Sequence, residues 1–261
     1  MTTQQGIFSF SVSGIIGTGK STALRRLDET HALARLLPHV ELTFVQEPVE
    51  LWKREGWLQD FYANPTQNGL PFQLIVFDTH CEVVEAAIAA RKNPTIPLVI
   101  ITERCVYGQH LFWSMQQQSQ DRLAHEAYMR TWRRRHFYVP EPAGIMLFTP
   151  TSVVEAQRRA ARRARNPLKA STACDEQLHE TEFTPEQLEN VDGLTLAYQQ
   201  RLHDRHLTYF NEGLAFPPGA KQGIPCIHVS TDKPYHTDDD ALHSLARTMA
   251  DFIGRVLPQQ N

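Results

Sequence analysis

The chain has 261 residues, 41% of them hydrophobic, with 26 Lys and Arg against 29 Asp and Glu. That length suits one α/β domain, or at most two small ones, and a net charge of −3 argues against holding nucleic acid by bulk charge. No apolar run approaches the ~18 residues of a membrane-spanning helix, and the first 24 residues, with one Lys and no Arg, do not read as a targeting presequence.

Ile7 to Ser13 reads as a short apolar strand that runs straight into glycines. Ser21 to Leu37 has apolar residues at helical spacing and stops before Pro38. Val40 to Val45 is a β-branched second strand, and Phe72 to Arg91 a helix with a Val and Ala face. Ile96 to Thr102, Gly144 to Thr149 and Ile224 to Ser230 complete a set of five strands. Continuous apolar strands separated by helices predict a parallel sheet buried on both faces. Such sheets bind ligands at the carboxyl ends of their strands. From Asn166 to Asn190 the chain turns polar and acidic and loses its period, as an insertion or mobile loop does, and Gln116 to Gln120 reads as an exposed joint. No linker divides the chain, so a single domain over residues 1–261 is expected. Cys81, Cys105, Cys174 and Cys226 lie far apart, without metal-ligand or redox-pair spacing, as in reduced thiols of a cytoplasmic chain.

The strongest motif follows the first strand. Gly14-Ile15-Ile16-Gly17-Thr18-Gly19-Lys20-Ser21 matches the phosphate-binding loop, and Thr22 continues it into the next helix. Glycines let backbone N–H groups wrap phosphate oxygens, and the helix N-terminus favours the anion. Lys20 would bridge β- and γ-phosphates and the Ser21 hydroxyl would bind Mg²⁺. A chance match in this length is about one in a hundred on average composition, and the strand-before, helix-after context is the required one. The motif indicates a nucleoside triphosphate site.

Acidic and basic residues collect after the other strands. Glu47-Pro48-Val49 follows the second strand, with Trp52 close behind, and Glu103-Arg104-Cys105 follows the third. Phosphoryl transfer to an alcohol needs a group to position the hydroxyl, a metal, and positive charge around the transferred phosphoryl. Glu47 is the candidate base and Glu103 the candidate for Mg²⁺ or its water shell. Arg104 would hold Glu47, although an interior Glu–Arg pair that merely fixes a strand end is the compatible plainer reading. Five arginines then fall within eight positions, Arg158, Arg159, Arg162, Arg163 and Arg165. Taken alone, such a run is usually a solvated helix face; around a triphosphate, arginines stay charged and grip phosphate with two donors.

With Phe72-Gln73 lying between the second and third strands, these motifs resemble, in order and spacing, those of the deoxyribonucleoside kinases. The resemblance runs from about Phe8 to Val229. It implies a P-loop kinase fold with a five-stranded parallel sheet flanked by helices and an Arg-rich lid, here with an insertion, at about 158–190. It also implies ATP with Mg²⁺, a deoxyribonucleoside acceptor and a homodimer, for which the apolar face of Val83 to Ile88 is a candidate. Glu47 takes the part of base for the 5′-hydroxyl in this comparison, with Arg104 beside it. Arg159 and Arg163 fall on phosphates, Arg165 near the adenine, and Arg162 is an additional candidate. Tyr62 falls on the sugar and Gln73 on the base edge, its amide able to pair by flipping. Phe72, Trp52 and Trp113 wall the base, Trp113 standing where relatives have Phe. His80 and Gln109 occupy positions that vary with base preference, and Gln109 matches neither the Asp nor the small residue of the known classes.

Two departures stand out. Cys105 replaces a Ser, which alters a local hydrogen bond because a thiol is a weak donor. The Glu that relatives place after the last lid arginine, against the sugar, is replaced by Pro167-Leu168, leaving Asp175, Glu176 or Glu180 as substitutes or Tyr62 alone. The expected function is transfer of the ATP γ-phosphate to a deoxyribonucleoside 5′-hydroxyl, in nucleoside salvage. The alternatives are a nucleoside monophosphate kinase of the thymidylate type and an inactive kinase-like subunit.

Overall fold

A computed structural model of the protein describes residues 6–116, 122–135, 138–165, 183–191, 193–211 and 221–258. Five strands, β1 (Ile7–Ser13), β2 (Glu41–Val45), β3 (Leu98–Glu103), β4 (Pro142–Thr149) and β7 (Cys226–Ser230), form one parallel sheet in the order β2-β3-β1-β4-β7. These are the five strands expected, with ends moved by a few residues. A hairpin, β5 (Asn190–Val191) with β6 (Leu194–Thr195), stands apart from it.

Both faces of the sheet are covered. On one side Phe10, Val12, Val99, Ile101, Met146 and Phe148 pack against α1 (Lys20–Glu29) and α10 (Asp239–Val256). On the other, Leu98, Ile100, Ile145 and Leu147 meet α4 (Pro65–Ala89), α5 (Val106–Gln116), α6 (Arg122–Trp132) and α9 (Leu196–Asn211). In central β1 the residues alternating with Phe10 and Val12 are Ser9, Ser11 and Ser13, all buried. Small side chains there let α5 lie close to the sheet, with a Cβ on Gly108 reaching within 3.7 Å of Ser13 Oγ. The helix carrying much of the candidate site is thereby seated deep.

Two helices differ from the sequence reading. The helix expected from Ser21 to Leu37 stops at Glu29, because the Thr30 hydroxyl bonds back to the Arg26 carbonyl at 2.6 Å and His31 turns to φ 52°. A separate single turn, Ala34–Leu36, follows, and Leu33 and Leu37 drop into the core. The helix expected at Phe72 begins seven residues earlier, at Pro65. Pro65 is compatible with a first helical position, and the Asn64 side chain accepts from Gln67 N at 3.1 Å as its cap. Of the Val83 to Ile88 face, Val84 and Ala87 are buried in the core and Val83 and Ile88 pack at its margin, so that face is already occupied within the chain. No helix among the described residues is long and apolar enough to cross a membrane. Residues 117–120 of the expected joint and 166–182 of the expected insertion lie outside the described residues.

Three histidines are sealed beneath α4, α5 and α9. Burial pushes His80 and His110 down to about 4 and His206 to about 3. His206 Nδ1 sits 2.8 Å from the Leu202 carbonyl, which only accepts, so Nδ1 carries the proton. Each folded value lies below the unfolded value of about 6.5, so the unfolded chain binds more protons in the interval between them. The histidine contribution to stability is therefore full above about pH 6.5 and falls as pH drops toward 4, by at most about 1.4 kcal/mol per pH unit for each histidine. Glu103, whose carboxyl burial pushes up, opposes part of this. Thermal unfolding followed from pH 7.5 to 5 should show the decline, and His80→Met should make it shallower.

Candidate active site

The segments leaving all five strands of the main sheet border one cavity of about 750 Å³. This is where a parallel α/β sheet presents its ligand site. After β1 comes the glycine loop. Gly17 (φ 86°) backs onto the helix α7 (Val153–Arg165): a Cβ there would fall 2.0 Å from the Ala156 carbonyl oxygen. Gly19, at φ 79°, is the residue from which α1 starts, so first-turn N–H groups point into the cavity mouth. Thr18, Thr22 and Ser21 line the wall, whereas Gly14 lies behind it, close against the Phe148 carbonyl.

Lys20 curls over this loop. Its Nζ donates to the carbonyls of Ile15 at 2.8 Å and Gly14 at 3.2 Å. Burial pushes its ammonium down to about 7, Arg104 adds to the effect, and Glu103 and Glu47 oppose it. A buried amine held this way is poised to gain charge when an anion arrives.

The acidic residues behave as a unit. The Ser21 hydroxyl donates to Glu103 Oε1 at 2.8 Å, joining the loop to the end of β3. Burial pushes the Glu103 carboxyl up, with Glu47 adding and Lys20 and Arg104 opposing. Arg104 Nη1 donates to Glu47 Oε2 in an ion pair whose side chains are 11% and 8% exposed. Burial works against the Arg104 charge, but Glu47 and Glu103 outweigh it and raise its pKa. Arg104 is held at φ 59°, its N–H bonded to the Val12 carbonyl at 2.8 Å, and its guanidinium lies 4.6 Å above the Phe112 ring. Next to it the Cys105 thiol lies against the N–H groups of Tyr107 and Gly108 and the Ser11 hydroxyl, capping the start of α5 where an oxygen would serve. A hydroxyl and a carboxylate beside a phosphate loop are oxygen donors suited to Mg²⁺, which commonly keeps one or two protein ligands and fills the rest with phosphate and water. Among the described residues no group of three or more His, Cys, Asp or Glu gathers to hold a metal by itself.

Helix α7 brings Arg159, Arg162 and Arg163 to the cavity wall. Glu155 gathers Arg158 and Arg159 at 3.3 Å and Arg162 at 4.0 Å, and Arg159 Nη1 also donates to the Thr231 carbonyl at 2.9 Å. Arg165, expected near the donor base, is not on the wall: it lies over the Phe183 ring at 4.1 Å. Instead the loop after β7, Thr231 to His236, closes that end. Its Asp232 is tied to Ser230 Oγ at 2.9 Å and to the Thr151 hydroxyl.

The opposite end is aromatic and neutral. Trp52 and Phe72 meet edge to face at 5.8 Å, and Phe72 stacks on Phe61 at 4.8 Å. Trp52 Nε1 is satisfied by Thr79 Oγ1 at 3.0 Å. Gln73 and Gln109 line this part, both nearly fully buried, each with an amide oxygen that has no hydrogen-bond partner among the described residues. Buried amides left open in a cavity are what a polar ligand edge would satisfy. Tyr62 completes the wall.

Two expected residues are elsewhere. Trp113 is fully buried, stacked on Tyr128 at 4.6 Å with Nε1 toward His125 Nδ1 at 3.3 Å, and His80 is packed in the core. The wall positions on α5 are Gln109, Phe112, Met115 and Gln116, a stripe along one face of the helix. Starting from Gln109, helical spacing admits both Phe112 and Trp113, and only the seating of α5 on the sheet chooses Phe112. Tyr198 and the Gly193–Thr195 turn also line the cavity, and no motif pointed to them.

A phosphate loop on a parallel sheet, a carboxylate held by an arginine, and a helix of arginines facing them define a phosphotransferase-type site. The sequence model of a family described as "Deoxynucleoside kinase" matches residues 10–254, and the chain belongs to that family. A stretch of 77 residues is 36% identical to the thymidine kinase of Ictalurid herpesvirus 1 (strain Auburn), covering 28% of this chain and 31% of that protein.

Contact between the loop and α7 leaves no room for a methyl group at residue 17. Gly17→Ala should lower the melting temperature by roughly 3–6 °C. An unchanged melt would show that the loop does not bear on α7.

Proposed function

We propose that the protein transfers the γ-phosphate of ATP to the 5′-hydroxyl of a deoxyribonucleoside, yielding the 5′-monophosphate. The observation that carries this reading is the Glu47–Arg104 pair in one cavity with the phosphate loop on one side and the open Gln73 and Gln109 amides on the other. A donor lying on the loop points its terminal phosphate toward Glu47, and an acceptor base held by the amides brings its sugar to the same place. Membership of the family and the herpesviral relative support a nucleoside as acceptor.

Glu47 accepts the 5′-hydroxyl proton while Arg104 keeps the carboxylate oriented. Lys20 and the N–H groups at the start of α1 hold the β- and γ-phosphates. Arg159, leaving Glu155 and Thr231, and Arg162, leaving Glu155, join Arg163 on the phosphate oxygens and screen the charge that moves. Ser21 and Glu103 would hold Mg²⁺, which supplies charge neutralisation between the phosphates. Trp52 and Phe72 flank the base, and Gln73 with Gln109 reads its edge by amides that offer either donor or acceptor. The proposal extends to one kinase domain over the chain, a homodimer and a cytoplasmic salvage role, the compartment being the one in which free thiols persist.

Four deoxynucleosides, their ribonucleoside counterparts and thymidine monophosphate, each incubated with labelled ATP, test the reaction. Phosphorylation of a deoxynucleoside is expected; activity confined to the monophosphate would select the thymidylate-type reading, and failure to bind ATP–Mg²⁺ in calorimetry the inactive-subunit one. Glu47→Gln should keep nucleotide binding and lose about 100-fold or more in turnover, whereas Lys20→Ala should lose both. Turnover by Glu47→Gln at the wild-type rate would remove Glu47 from the role of base.

A further inference from the structure

Beside Tyr62 the cavity wall is built by chain from the far side of the lid. Gly193, Leu194 and Thr195 form the hairpin end, and Tyr198 follows within the first turn of α9. Gly193 (φ 88°) presses on Tyr62: a Cβ there would sit 3.2 Å from Cδ1 of its ring. The position is held from three directions. Gln157 of α7, wholly buried, donates from Nε2 to the carbonyls of Leu194 at 2.7 Å and Leu188 at 3.1 Å. Thr195 Oγ1 accepts the Tyr198 N–H at 3.1 Å, and Gln199 Nε2 donates to the Ile16 carbonyl of the phosphate loop at 2.8 Å.

We propose that Tyr198 is a substrate-binding residue whose hydroxyl, together with that of Tyr62, holds the 3′-hydroxyl of the acceptor sugar. The inference rests on the nucleoside-kinase reading above. A deoxyribose that brings its 5′-hydroxyl to Glu47 has one other hydroxyl, a few ångströms away. Tyr62 lines the cavity together with Glu47 and Arg104. Tyr198 is there: burial raises its pKa, Tyr62 adds to that, and Arg104 and Arg201 pull it back. The phenol thus keeps its proton and can donate or accept. Among the described residues the carboxylates of the cavity wall are Glu47, Glu103 and Asp232. The first is held by Arg104 and the second by Ser21, while the third is bound to Thr151 and Ser230 at the donor end. Two neutral hydroxyls on a clamped wall are therefore the groups that the described wall offers to this hydroxyl. Asp175, Glu176, Glu180 and Asp192 lie outside the described residues.

The test compares the best deoxynucleoside substrate with its 2′,3′-dideoxy counterpart, which lacks only the 3′-hydroxyl. Wild type should prefer the deoxynucleoside in kcat/KM by about tenfold or more, the worth of one or two buried hydrogen bonds. Tyr198→Phe, which keeps the ring, should lose about tenfold on the deoxynucleoside, while its ratio to wild type on the dideoxynucleoside stays within about twofold. Equal losses on both substrates, or a wild type that does not distinguish them, would overturn the assignment. So would a 3′-hydroxyl-specific loss in Asp192→Asn with none in Tyr198→Phe. The wild-type comparison needs no variant to fold. If wild type phosphorylates neither nucleoside, the kinase reading falls and this inference falls with it.

Discussion

Glu47 and Arg104 face each other at the ends of neighbouring strands, both almost removed from water, and their pairing governs much of what surrounds them. Two buried charges cost several kcal/mol each to desolvate, a cost that only good geometry and further polar contacts offset. The surroundings supply those contacts. Arg104 is turned to a positive φ so that its side chain leaves the strand toward Glu47, and the ring of Phe112 lies beneath its guanidinium. Glu103 and Lys20 add one charge of each sign nearby. Removing any one of the four would leave its neighbours uncompensated, so they form a single electrostatic object. A backbone conformation that disfavours any side chain but glycine persists here because the ion pair and the Val12 hydrogen bond both require it.

Much of this arrangement was legible in the sequence, for physical reasons. The five strands announced themselves because a sheet covered on both faces needs continuous apolar runs. The phosphate loop did so because close backbone approach needs glycines at fixed intervals. Glu47, Glu103 and Arg104 followed from the rule that chemistry gathers at carboxyl ends of parallel strands. What failed was information that lives between elements. Trp113 and Phe112 are adjacent on one helix, and their fates depend on how α5 rests against small serines of β1. Arg165 belongs to the arginine run by sequence, but a helix of thirteen residues turns it away toward Phe183. Tyr198 carries no local signature at all. It reaches the cavity because the hairpin and α9 fold back across the loop.

Neutral polar groups do as much positioning as charged ones. Gln157 and Gln199 are both fully buried on helices, where glutamine usually faces water. Each ties its helix to an irregular backbone segment whose carbonyls would otherwise be left open. One fixes the hairpin against α7 and the other fixes the glycine loop against α9. The loop and hairpin walls of the cavity thus share a common support, with α7 in contact with both.

The contact of Gly17 with Ala156 also has a mechanical meaning. Together with the Gln157 hydrogen bonds it clamps α7 along its first turns, on one flank by the glycine loop and on the other by the hairpin. A rod gripped at its root and loaded at its tip is a cantilever, and here the load is charge: Arg159 lies at the edge of the grip, with Arg162 and Arg163 beyond it. Packing of Ala161 and Arg165 on Phe183 props the far end as well. The stiffness of one short helix sets how far its arginines can travel.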